Sequence, residues 1–295
     1  MCADFAPPVG DSPAETRDSA GHNGLKRVEL MGLPLAALSE RETIEHVISE
    51  VADGRGGWIC TMHLDMFRQW RRSAEVRALV SSIDLVVADG MPLVWACALR
   101  GTPLPERVPG STLTVSLAQA AAAAGNSVFL LGGKPGTAEG AARELKRLYP
   151  RLRLAGTLCP PLGFENEPDY LELIKATLRD AAPDIVFVAL GFPKQDRLIL
   201  ELRPILPNAW MMGCGISFSL IAGELRRAPP LFQRLGLEWV FRLAQEPRRL
   251  FRRYVVHGIP FWVALMWRSI LDRSASVTEQ EGVPPPLEDW DSARG

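Results

Sequence analysis

The chain has 295 residues, 47% of them hydrophobic, with a formal net charge of −1. That is room for one large α/β domain or two small ones, and the overall charge gives no bias toward nucleic acid. Five scattered cysteines, Cys2, Cys60, Cys97, Cys159 and Cys214, form no C-x-x-C pair, which argues against a disulfide framework and fits a reducing cytoplasm.

In chain order, residues 1–27 are rich in Pro, Gly, Ser and Asp and read as a disordered lead-in. They lack the basic and apolar regions of a signal peptide. Residues 28–228 then alternate short apolar runs with longer helical patterns. Strands are expected at 58–61, 85–88, 127–131, 153–155, 185–190 and 209–212. Helices are expected at 66–81, 92–100, 112–124, 137–149, 168–181 and 194–202. Uniformly apolar strands alternating with helices predict an α/β fold, a mostly parallel sheet with helices on both faces.

Residues 229–273 change character to helices alone. From Leu225 to Arg273 there are ten arginines, no lysine and three acids. A basic segment with aromatic neighbours suits phosphate or an anionic membrane surface, or forms a solvated face. Residues 254–271 are apolar but carry His257, Gly258, Pro260 and Arg268. They read as a helix lying in the interface, or as an ordinary C-terminal helix packed on the domain, rather than as a spanning helix. Residues 274–295 are acidic and Pro-rich and read as a disordered tail.

Polar and glycine residues gather after the predicted strands: Thr61 and His63, Asp89 and Gly90, Gly132 and Gly133, Gly191 through Asp196, Gly213 and Gly215. Open parallel sheets bind ligands at the carboxyl ends of their strands. Asp89 suits a general base, or equally a helix N-cap. Gly132-Gly133 before a helix can present backbone N–H groups to a phosphate or form a tight turn. The run Gly191-Phe192-Pro193-Lys194-Gln195-Asp196 carries Gln195, which can donate and accept hydrogen bonds as sugar hydroxyls require. Arg242, Arg249 and Arg252 would share one face of a continuous helix, but Pro247 between them predicts a kink or two short helices. No histidine or cysteine spacing implies a metal, and Asp289-Trp290-Asp291 has no strand before it.

These residues resemble the WecG/TagA/CpsF glycosyltransferases, family 26. The matching pieces are T-x-H at 61–63, VVADGMPLVW at 86–95, RVPGSTL at 107–113, VFLLGGKPGTA at 128–138, LYPRL at 148–152, PDIVFVALGFPKQD at 183–196, and the arginine-rich run at 223–253. The resemblance implies a Rossmann-like domain with a C-terminal helical appendage that associates with the membrane. It implies inverting transfer, without metal or other cofactor, from a UDP-sugar to a sugar linked through diphosphate to undecaprenol, in cell-surface polysaccharide synthesis. N-acetylmannosamine, its uronic acid or a hexose would be donors, and the enzyme would sit on the inner face of the cytoplasmic membrane. A homo-oligomer is compatible with the sequence.

By the same resemblance Asp89 is the base, with Thr61 and Arg107 beside it. Gly132, Gly133, Gly191, Pro193 and Gln195 form the donor site. His63, Arg242, Arg249 and Arg252 face the acceptor or the diphosphate. Two positions depart from the family pattern: His63 stands where Asn is usual, and Asp196 where Glu is usual. Two other functions compete. A nucleotide-dependent oxidoreductase would need the absent G-x-G-x-x-G fingerprint. A non-catalytic membrane adaptor of polysaccharide assembly would need neither Asp89 nor Arg107.

Overall fold

The computed structural model describes residues 25–229, 232 and 236–281. Most of the expected lead-in lies outside the described residues, as does the tail beyond 281 with Asp289-Trp290-Asp291.

The domain opens on a hairpin not expected from the sequence. Strand β1 (Arg27–Leu30) pairs antiparallel with β2 (Leu33–Ala36) across the Met31-Gly32 turn. Val28, Leu30, Leu33 and Leu35 are buried. Four-residue strands with a proline at Pro34 give too short an alternation to stand out.

The main sheet has six strands in the order β4-β3-β8-β7-β5-β6. These are β3 (Gly57–Met62), β4 (Leu85–Ala88), β5 (Ser127–Gly132), β6 (Arg153–Leu158), β7 (Ile185–Ala189) and β8 (Trp210–Gly213). Every pairing is parallel, as the apolar runs predict. All strands but β6 are buried along their whole length, because helices cover both faces. β6 is the edge and is partly exposed. One face packs α2 (Leu64–Arg72), α3 (Ala74–Ser81), α4 (Met91–Leu99), α7 (Pro168–Ala181) and α8 (Lys194–Leu202). The other packs α1 (Glu40–Ala52), α5 (Gly110–Ala124), α6 (Thr137–Leu148) and α9 (Ser217–Ile221). Fully buried aromatic rings fill both layers, among them Trp58, Phe67, Phe129, Phe187 and Trp210. Each contributes about 1.5–3 kcal/mol by leaving water.

One helix expected at 66–81 is two. Ser73 takes an extended conformation and its hydroxyl accepts the Val76 N–H at 3.3 Å. A serine that caps the backbone from outside the helix competes with helix continuation.

Two carboxylates fasten the amino-terminal ends of the strands. Asp84 Oδ2 accepts the Trp58 N–H at 2.8 Å and pairs with Arg203 Nη2 at 2.7 Å. Asp184 Oδ2 accepts both the Ser127 N–H at 2.6 Å and its hydroxyl at 2.8 Å.

The appendage begins with α10 (Glu238–Gln245) and breaks at Glu246. Pro247 then opens α11 (Pro247–Phe251), a π-helical stretch follows over Arg252–Gly258, and α12 (Ile259–Glu281) continues it. The break at Pro247 matches the expected two short helices. Gly258 and Pro260 do not end the rod, because the wider turn accommodates the missing proline N–H. The helical run Pro247–Arg273 is long and apolar enough, by length and composition, to cross a membrane, longer than the apolar stretch evident in the sequence. α12 lies on the domain instead of standing clear of it. Leu265 and Ser269 are buried, and Asp272 pairs with Arg100 at the end of α4. The helix also runs past residue 273, where the sequence suggests a disordered tail.

Candidate active site

The carboxyl ends of β3 and β4 bring Thr61, His63 and Asp89 together. Met62 and Ala88 are register partners, so His63 and Asp89 leave adjacent strands side by side. The Asp89 N–H donates to the Met62 carbonyl at 2.8 Å, and the Val108 N–H to the Ala88 carbonyl at 2.8 Å. The 107–110 segment is thereby drawn across the end of β4, and α5 starts beside Asp89. Gly110 N–H donates to Asp89 Oδ2 at 3.2 Å. A β-carbon at Gly110 would lie 2.7 Å from the Thr61 hydroxyl, so the approach of α5 to β3 requires glycine there. Asp89 is therefore not the cap of α4, which begins from Gly90 without a side-chain cap. It faces α5 instead.

Burial pushes the Asp89 carboxyl up to about 6, against the Gly110 N–H and the Arg107 and Arg242 charges, which favour ionisation. Glu238 nearby adds to the upward push. A carboxylate in this range is ionised at neutral pH yet basic enough to take a proton.

Arg107 reaches the appendage. Its Nη1 pairs with Glu238 Oε2 at 2.6 Å, both side chains largely covered. Glu238 is the first residue of α10, and one turn later Arg242 comes close enough to act electrostatically on both Asp89 and His63. Arg249 stays near it, since both Arg249 and Arg242 act on the Glu246 carboxylate. Arg249 grips Glu246 through Nε at 3.0 Å and through Nη2, and its side chain is 54% exposed. Arg252 is exposed. Arg253 points inward instead, to His63 and Asp65.

The remaining rim loops lie beyond β8. Gly132 has φ of 106° and its α-carbon sits against the Ala189 carbonyl, while the Gly133 N–H donates to that carbonyl at 2.8 Å. The β5–α6 loop thus packs tightly on β7 and presents the start of α6. Gly191 and Pro193 shape the loop before α8, where the Phe192-Pro193 bond is cis. Gln195 is 6% exposed, and its Oε1 accepts the Gly191 N–H at 3.0 Å and the Gly215 N–H at 3.2 Å. Its carbonyl is committed to joining the loops after β7 and β8, while its side-chain amide acts on the Asp196 carboxylate. Asp196 beside it is buried, has one oxygen without a hydrogen-bond partner, and is pushed by burial up to about 7.

Sequence reasoning missed Gly110, Glu238, Asp65 and Arg253. Gly110 carried a signal, since Pro109-Gly110 precedes a helical pattern. Glu238 and Arg253 lie in the quoted arginine-rich run, but nothing local distinguishes Arg253 from Arg252. Among the described residues, no group of three or more His, Cys, Asp or Glu side chains is placed to hold a metal ion.

Residues 28–275 match the glycosyl transferase WecG/TagA/CpsF family. The chain is also similar to N-acetylglucosaminyldiphosphoundecaprenol N-acetyl-beta-D-mannosaminyltransferase of Bacillus spizizenii, 30% identical over 207 residues that cover 70% of this chain and 78% of that protein. With the half-buried Asp89 at the strand ends, Arg107 beside it and Arg242 reaching it from the appendage, these matches establish that the chain belongs to the WecG/TagA/CpsF family and is a glycosyltransferase.

Proposed function

We propose that this enzyme moves N-acetylmannosamine from a UDP-linked donor, with inversion and without a metal, onto a sugar linked by diphosphate to undecaprenol. The observation that carries this reading is Asp89, a half-buried carboxyl raised to about 6 and flanked by Arg107 and Arg242. In one step Asp89 takes the proton of the acceptor hydroxyl, that oxygen bonds to the anomeric carbon from the face opposite the nucleotide, and UDP departs with the bonding pair. Negative charge grows on the departing diphosphate. Arginines and backbone N–H groups can stabilise it in a site shielded from water. Thr61, adjacent to Asp89 through Gly110, orients the acceptor. The loops carrying Gly132, Gly133, Gly191, Pro193 and Gln195 hold the donor at the start of α6. The acceptor class follows the name of the Bacillus spizizenii relative, and the same site geometry suits the uronic acid or a hexose as donor sugar.

The lipid acceptor calls for a membrane surface, and the appendage has one to offer. Val256, Ile259, Val263, Trp267 and Ile270 recur at three- and four-residue steps and are exposed, Trp267 by 67%. That spacing puts them on one helix face. The opposite side of α12 is held on the domain by Leu265 and Asp272. Together these favour a helix lying in the interface on the cytoplasmic side, with Arg249 and Arg252 toward headgroups or diphosphate. The test is UDP release across a panel of UDP-sugars with a short-chain lipid-diphosphate N-acetylglucosamine acceptor. Acceptor-dependent release from UDP-N-acetylmannosamine is expected. Release that ignores the acceptor, or turnover of NAD(H) instead, would overturn the reading.

A further inference from the structure

His63 meets a hydrogen-bond donor at each ring nitrogen. Its Nδ1 accepts the Met66 N–H at 3.1 Å and so caps α2. Its Nε2 lies 3.1 Å from Arg253 Nη2. The ring is neutral, since burial, and after it the Arg253 charge, pushes its pKa down to about 3. A neutral imidazole has one N–H and one acceptor nitrogen, and a guanidinium has donors alone. Both contacts cannot be satisfied at once. With the cap kept at Nδ1, the proton sits on Nε2 and two donors face each other.

Arg253 is nevertheless held in that position. Its Nε lies 3.1 Å from Asp65 Oδ2, an ion pair without hydrogen-bond alignment. Asp65 is itself fixed on α2: Oδ1 accepts Arg68 Nε at 3.0 Å and Nη2 at 2.8 Å, and Oδ2 accepts Gln69 Nε2 at 3.2 Å. Two donors kept together against their preference need an acceptor between them. Arg242 adds positive charge to the same place. Because Met62 and Ala88 are register partners, the backbones at His63 and Asp89 leave the sheet from adjacent strands, one strand spacing, ~4.8 Å, apart, and Arg242 acts on both side chains. An anionic oxygen here would sit beside the reacting centre.

We propose that His63 Nε2–H and an Arg253 N–H together bind one oxygen of a diphosphate, with Asp65 as the residue that positions the guanidinium. This rests on the proposed glycosyl transfer and adds a subsite to it. The diphosphate belongs to the nucleotide donor or to the lipid acceptor, and the chemistry is the same for both. A bound oxygen removes the conflict at His63: Nδ1 keeps the α2 cap while Nε2–H and the guanidinium both donate outward. Charge-assisted bonds of this kind are the stronger sort.

The experiment uses full-length protein and two probes separately, UDP and a water-soluble short-chain prenyl diphosphate carrying N-acetylglucosamine. Calorimetric titration gives a Kd for each with wild type, Arg253→Met, Arg253→Lys, His63→Ser and Asp65→Asn. Ser retains an oxygen to cap α2. Arg253→Met and His63→Ser are expected to weaken one of the two ligands at least tenfold. Asp65→Asn should weaken the same ligand several-fold. Arg253→Lys keeps the charge without the fork and should fall between, and it decides the matter if Arg253→Met does not fold. Loss confined to UDP assigns the donor diphosphate, and loss confined to the lipid assigns the acceptor. Nitrogen-15 NMR of His63 should report the Nε2–H form, with that proton moving downfield on binding, which a purely structural histidine would not show. Kd values within twofold of wild type for both ligands in Arg253→Met (or Arg253→Lys) and His63→Ser overturn the subsite while leaving the glycosyltransferase reading intact. Wild type that binds neither ligand overturns both.

Discussion

At the amino-terminal edge of the sheet, the Oδ2 atoms of Asp84 and Asp184 each take two partners, from backbone N–H groups, a hydroxyl and an arginine. At the carboxyl edge, Asp89 accepts one N–H and Asp196 leaves one oxygen without a partner. Burial raises both of the latter, to about 6 and about 7. The same side chain is used at one edge to fasten strands and at the other is raised by burial. Buried carboxyls cost stability, and they persist where a proton has to move. The edge over which the appendage closes is the one with the raised carboxyls.

The largest expected effect concerns the outward face of the appendage. Replacing Val263 and Trp267 by Glu removes two side chains worth about 1.5–3 kcal/mol each on burial. Binding to anionic vesicles should weaken by about 10²–10⁴-fold, with the rate on a soluble short-chain acceptor retained. Unchanged vesicle sedimentation would make the exposed stripe irrelevant to docking.

The pH dependence comes next. Asp89 acts as base only when ionised, and its raised value places that change near 6. kcat/KM should therefore be steady above pH 7 and fall about tenfold per unit below 6. A profile flat from pH 5 to 8 would remove Asp89 from the proton transfer. Smaller again is the tie across the edge. Glu238→Gln breaks a largely covered ion pair with Arg107 and should cost about 1 kcal/mol of stability and several-fold in rate, measured by thermal melting and UDP release. The smallest expected effect is none: turnover should survive EDTA. Restoration by Mg²⁺ after chelation would put a metal into the mechanism.

The sheet was legible because five of its six strands are buried on both faces and read as unbroken apolar runs. The β1–β2 hairpin was not, since each strand is four residues long and contacts the domain on one side. The rim was legible at Thr61, Asp89 and the glycine loops, where polar residues follow apolar strands. The partners were not. Glu238 meets Arg107 from 131 residues away, and Arg253 meets His63 from 190. No periodicity encodes such pairs. The arginines show the limit most clearly. A count of positive charge locates the appendage, but not that Arg253 turns to His63 and Asp65 while its neighbour Arg252 is exposed.

The most direct measurement compares the two edges in one protein. Asp89→Asn and Asp84→Ala would be assayed side by side for transfer rate and melting temperature. Asp89→Asn should lose about 10²–10⁴-fold in kcat and melt with wild type or slightly above. Asp84→Ala leaves the Trp58 N–H and Arg203 without their acceptor. It should lose about 2 kcal/mol, roughly 4–8 °C in Tm for a domain of this size, with kcat within a few-fold of wild type. An Asp89→Asn enzyme that keeps more than a third of wild-type turnover would contradict the account.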